Sequence, residues 1–114
     1  MYIYKAKCER VVDGDTIDAN IDLGFNTWKK TRIRLVGINA AESRTRDLEE
    51  KARGLEAKAW LTQQFYDAVD PIELQSHGVG KYGRVLGEFY INGENINKLM
   101  VKVGHAVEYD GGKR

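Results

Sequence analysis

The sequence predicts an α+β protein: a five-stranded Greek-key β-barrel with two to three helices. Three observations predict it. Short runs alternate apolar and polar residues with period two, one longer stretch shifts to intervals of three and four, and the elements follow the order three strands, helix, two strands, helix. The 114 residues, 42% apolar and 31% charged, suit one domain over 1–114 with a single modest core.

Residues 2–12, rich in β-branched and aromatic side chains, read as the first strand. Residues 16–23 set Ile17, Ala19, Ile21 and Leu23 against Thr16, Asp18, Asn20 and Asp22, which makes a second strand joined to the first at Asp13-Gly14. Its aspartates, Asp18 and Asp22, are expected to face water. A turn over 24–27 leads to a third strand, 31–36, with Ile33 and Leu35 facing one way and Arg32 and Arg34 the other; Gly37 ends it.

From Asp47 the interval changes. Leu48, Ala52, Leu55, Ala59, Thr62 and Tyr66 form a helical stripe, and Asp47 with Glu50 resembles a capping box. Gly54 is expected to interrupt it, leaving the firm helix at 54–66. Trp60 and Phe65 read as core. Pro71 ends the helical segment, residues 72–75 read as a fourth strand, and residues 76–83, with three glycines, read as a mobile loop. A fifth strand over 85–91 and an Asn92-Gly93 turn precede a short amphipathic helix carried by Ile96, Leu99, Met100 and Val103 and closed by Gly104. The tail from Glu108 reads as loose. This order is that of a Greek-key barrel of the oligonucleotide-binding type, a fold that carries many functions, so the site must decide.

Composition excludes several classes. No stretch is apolar for the length of a membrane span, and Lys5 and Lys7 interrupt the place where a secretory signal would be apolar, so a cytoplasmic protein without membrane contact is expected. The single cysteine, Cys8, cannot close an internal disulfide and reads as a packing residue. Net charge is only +1, but nine bases face five acids between Lys29 and Lys58, a local excess of +4 that would attract a phosphate backbone. His77 and His105 offer no zinc cluster and read as surface or loop residues, and Gly80 and Gly83 belong to neither a P-loop nor a dinucleotide fingerprint.

The chemistry concentrates in three short segments. Asp15 follows Gly14 at the mouth of the first hairpin, and hard cations such as calcium take oxygen ligands of this kind. Arg34 ends a strand, Glu42 lies in the loop leaving it, and Lys81-Tyr82-Gly83-Arg84 comes later. Carboxylates that hold a divalent cation, one that activates water and two guanidiniums that bracket a phosphate are the parts that phosphodiester hydrolysis needs.

In that order and around a barrel, Val12 to Thr16, Arg34 to Glu42 and Lys81 to Arg84 resemble the staphylococcal nuclease (thermonuclease) family over nearly the whole chain. The resemblance implies a calcium-dependent hydrolase of DNA and RNA that leaves a 3′-phosphate and a 5′-hydroxyl. It implies catalytic roles for Arg34, Glu42 and Arg84, a metal side formed by Asp15, Asn39 and Ala40, and substrate contacts from Lys81, Tyr82 and Tyr109. Asp13 reads as a hairpin residue near the site. No protein partner is implied, and a monomer is expected.

Two positions depart from the family. Asn39 stands where an aspartate is usual and Ala41 where a proline is usual. An amide oxygen coordinates calcium without bringing charge, so a weakened cation site is expected. Without the proline, the loop holding Glu42 is expected to be less restrained. The alternative reading is a noncatalytic nucleic-acid-binding or peptide-binding barrel with a degraded metal site.

Overall fold

The structure, a computed structural model, describes residues 2–69, 72–80 and 83–109. The N-terminal alternation becomes an antiparallel meander of β1 (Ile3–Asp13), β2 (Thr16–Asp22) and β3 (Trp28–Leu35). After a short β4 (Ile38–Asn39) comes helix α1 (Leu48–Tyr66), followed by β5 (Ile72–Val79), β6 (Val85–Ile91) and β7 (Glu94–Asn95). Helix α2 (Ile96–Lys102) and β8 (Val107–Glu108) complete the order. The main sheet runs β3-β2-β1-β5-β6, and a parallel pairing of β3 with β6 closes it into the predicted five-stranded barrel with two helices.

The alternating residues fill the barrel: Ile17, Ile33, Leu35, Leu74 and Phe89 are fully buried, capped by Leu61 of α1 and by Ile96 and Met100 of α2. Phe65 meets Phe89 edge to face at 5.3 Å, an arrangement that suits the ring quadrupoles. Trp60, expected in the core, is half-buried and packs against His105. Cys8 lies partly buried against the core, and that burial pushes its thiol up to about 11.

Several local expectations are corrected. Asp13 pairs with Thr16, so the first turn is Gly14-Asp15. Asp18 faces outward as expected and is in addition ion-paired, accepting from Arg32 at 2.7 Å and 3.1 Å and from Arg10 at 3.3 Å; the Arg32 hydrogen bond holds its carboxyl below the usual range. Strand β3 starts at Trp28. Strand β5 continues to Val79 through most of the expected loop, because an irregularity between Ser76 and Val79 absorbs Gly78, whose φ of 99° suits glycine. His77 is therefore a strand residue, bonded to Glu88 at 2.8 Å. Glu108 and Tyr109 are not loose: β8 pairs with β4, and the Tyr109 N–H donates to the Gly37 carbonyl. Pro71 and residues 110–114 lie outside the described residues.

The helix expectation fails in two respects. Helix α1 runs unbroken through Gly54, and its buried face is Gly54, Ala57, Leu61 and Phe65, whereas Leu48, Leu55 and Tyr66 of the expected stripe are exposed. The cause is close approach: a Cβ on Gly54 would lie 2.3 Å from the Glu42 carbonyl oxygen. Asp47 caps the helix as predicted, accepting from the N–H groups of Glu49 and Glu50, but Glu50 reaches to the Glu42 N–H rather than back to the cap.

Candidate active site

Separate elements bring the candidate side chains to one end of the barrel. The β1–β2 turn carries Asp15, and the register Thr16 opposite Arg34 sets that turn beside Arg34. The parallel β3–β6 pairing, with Arg34 opposite Leu86, brings Arg84 to the same edge. Gly37, at φ 85°, turns the chain into Asn39 and Ala40. Asp15, Arg34, Asn39 and Ala40 line one open cleft of about 1490 Å³, and Glu42, Arg84 and Tyr109 line it too. Lys81 and Tyr82 lie outside the described residues.

Asp15 is buried and held. Its Oδ1 accepts from the Thr16 hydroxyl at 3.1 Å and its Oδ2 from the Ala40 N–H at 3.0 Å, with Nη2 of Arg34 3.7 Å away. The same Nη2 donates to Asn39 Oδ1 at 3.4 Å, while Nη1 donates to the Leu35 carbonyl at 2.7 Å. Arg34 is thus a fixed fork, whose planar donors suit two phosphate oxygens. The Arg84 side chain makes no hydrogen bond or ion pair among the described residues and lines the same cleft.

The donor set fits a hard cation in part. Asp15 Oδ2 and Asn39 Oδ1 converge on one guanidinium nitrogen, so two oxygen donors already share a positive charge. Asp15 supplies the carboxylate of that pair, and among the described residues no group of three His, Cys, Asp or Glu comes together. A divalent ion here would draw on Asp15, Asn39 and water, in competition with Arg34. Ala40 contributes its N–H to Asp15, which steadies the carboxylate.

Glu42 has an exposed side chain on a restrained backbone. Its N–H donates to Glu50 Oε2 at 3.3 Å, and the next residue, Ser43, bonds through both N–H and hydroxyl to Asp13 Oδ1. Gly54 of α1 packs flush against the same segment. The restraint that Ala41 does not supply therefore comes from Asp13, Glu50 and Gly54. Asp13 does more than turn a hairpin.

Two residues of the site frame escaped the sequence reading. Asn97, 1% exposed, donates to the Val36 and Gly87 carbonyls at 2.9 Å and 3.0 Å and accepts from the Phe89 N–H at 3.2 Å, tying the end of β3 to β6. His105, set aside as a surface or loop residue, lines the cleft with its ring 5.6 Å from that of Trp60. A lone Asn beside an apolar helix carries no signal that would have found the first.

The fold is a closed barrel of the oligonucleotide-binding type, with Arg34, Arg84 and the oxygen donors Asp15, Asn39 and Glu42 lining one cleft. The chain belongs to the staphylococcal nuclease homologue family, whose profile matches residues 32–113. It is 33% identical over 104 residues to an uncharacterized protein of Bacillus anthracis, covering 90% of this chain and 46% of that protein. It is 31% identical over 109 residues to protein ParB of Escherichia coli, covering 88% of this chain and 54% of that one. The chain spans about half the length of these relatives.

Proposed function

We propose that this domain hydrolyses phosphodiester bonds of DNA or RNA with the aid of a divalent cation, calcium by preference, leaving a 3′-phosphate and a 5′-hydroxyl. The observation that carries the reading is the convergence of Arg34, in β3, and Arg84, just before the neighbouring β6, on the cleft that Asp15 and Glu42 also line. When bound, a divalent cation supplies Lewis-acid polarisation of a phosphoryl oxygen. The protein's own groups do the rest. In-line attack by water builds negative charge on the equatorial oxygens, which Arg34 and Arg84 stabilise more strongly than they stabilise the bound diester. Glu42, exposed at the cleft, orients the attacking water and accepts its proton, while the P–O5′ bond breaks and the departing 5′-oxygen takes a proton from solvent.

Incubation with denatured DNA, with and without calcium, tests the reading, with Arg84→Ala as the control. Calcium-dependent cleavage lost in the variant supports it; cleavage that survives Arg84→Ala overturns the assignment. A second reading, a noncatalytic polynucleotide-binding barrel, draws on the contact of Arg34 with both Asp15 and Asn39, since that guanidinium balances the site's charge without a metal. Binding without cleavage at high calcium would favour it.

A further inference from the structure

Alternation on β3 puts Trp28, Lys30, Arg32 and Arg34 in one outward row, while Ile33 and Leu35 fill the core. Arg34 belongs to the cleft, and Trp28 stands roughly 20 Å away at a strand rise of about 3.3 Å per residue. At that far end lies a second recess of about 410 Å³, lined by Ala6, Val69, Ile72 and Trp28 together with Lys5, Lys7 and Asp22. The size falls within the range of small-ligand pockets. Lys7 Nζ lies 5.0 Å from the centre of the Trp28 ring, so an apolar plane and a positive charge are presented together.

The charge of this face is positive after its acids are counted. Asp18 sits between two guanidiniums, Arg10 and Arg32, which leaves one positive charge in surplus. Asp22 turns one oxygen to the Gly24 N–H at 2.8 Å, Lys5 stands opposite Glu73 across β1 and β5, and Glu9 is exposed at the bulge in β1. Lys7 and Lys30, both opposite Asn20, have no ion pair among the described residues. A row of cations ending in an aromatic recess is the combination that tracks a single-stranded polynucleotide.

We propose that a single strand held in the cleft continues along the outer face of β3, its phosphates meeting Lys30 and Lys7 and one base seated against Trp28. The proposal rests on the nucleic-acid reading of the cleft. At a stacked rise of about 3.4 Å per nucleotide, roughly six nucleotides separate the two ends. A dinucleotide in the cleft cannot reach the recess; a 12-nucleotide strand can.

Affinity for a dinucleotide and for a 12-nucleotide single strand, measured with calcium chelated, tests this without any cleavage. Trp28→Ala is expected to weaken the longer strand about tenfold, the worth of one stacked base. Lys30→Ala should weaken it several-fold and reduce its salt slope by about 0.7. Neither should alter the dinucleotide, whereas Arg84→Ala should weaken both lengths. Parental affinity of the Trp28 and Lys30 variants for the long strand, with Arg84→Ala weakened, would overturn the β3 track alone. An Arg84→Ala protein that binds both lengths normally would overturn the cleft reading. A parent protein that holds both lengths equally would also overturn the track. Thermal melting of each variant separates loss of contact from loss of fold.

Discussion

Gly54 lies inside α1, where helix propensity alone would make Gly54→Ala stabilising by about 1 kcal/mol. The structure reverses the sign. The added methyl would lie 2.3 Å from the Glu42 carbonyl oxygen, 2.4 Å from its carbonyl carbon and 2.7 Å from the Ser43 nitrogen. All three are backbone atoms, so no side-chain rotation relieves the clash. Since close carbon–oxygen contacts settle near ~3.3 Å, helix and loop must part by roughly 1 Å. Overpacking of this kind costs about 1–3 kcal/mol. The parting also stretches the Glu42 bond to Glu50 and the Ser43 bonds to Asp13, each worth about 0.5–1.5 kcal/mol. After the propensity gain, a net loss of about 1–3 kcal/mol is expected, with the melting temperature falling by roughly 4–8 °C per kcal/mol in a domain near this size. Circular dichroism melting reads that directly. The same shift moves Glu42, and a misplacement of about 1 Å is expected to lower kcat on a chromogenic nucleotide diester about a hundredfold. A Gly54→Ala protein that melts above its parent and turns over at the parental rate would refute the close-approach argument.

Three further outcomes are expected. Asn39→Asp adds a carboxylate where Asn39 Oδ1 already meets a cation, and calorimetry should show calcium affinity rising about tenfold or more; an unchanged affinity would place residue 39 away from the ion. Arg84→Lys should lower kcat about 10²–10³-fold while leaving the melting temperature nearly unchanged, because Arg84 has no side-chain partner to lose among the described residues; a large drop in melting temperature would assign it a structural role. Burial pushes the Cys8 thiol from 9.0 to about 11, so its thiolate fraction at pH 8 drops about a hundredfold and alkylation should slow in proportion. The unfolded chain releases that proton first, so any contribution of Cys8 to stability is complete below about pH 9 and declines as pH rises toward 11.

The barrel strands were readable because a half-buried strand must alternate, and Ile17, Ala19, Ile21, Ile33 and Leu35 do so and are buried. The helical interval of α1 was readable too, but its face was not. Leu48, Leu55 and Tyr66 outweigh Gly54 and Ala57 on any hydrophobicity count, yet the small residues face the barrel because a loop and a turn lie against them. At the candidate site, Asp15, Arg34, Glu42 and Arg84 could be named from their motifs. The Asp13–Ser43 and Glu42–Glu50 bonds, the Asn97 tie and the recess at Trp28 could not, since none is a property of neighbouring residues in the chain.

Local periodicity and motif order thus determined the class of fold, the family and the residues that could carry chemistry, because these are written in spacings of two to eight residues. Tertiary structure alone decided that Arg34 and Arg84 share an edge, that Arg34 takes up both Asp15 and Asn39, and that a glycine presses α1 onto the Glu42 loop. The physical reason is closure: one parallel pairing between β3 and β6 brings together segments that no local pattern relates, and the contacts that follow depend on where the backbones meet.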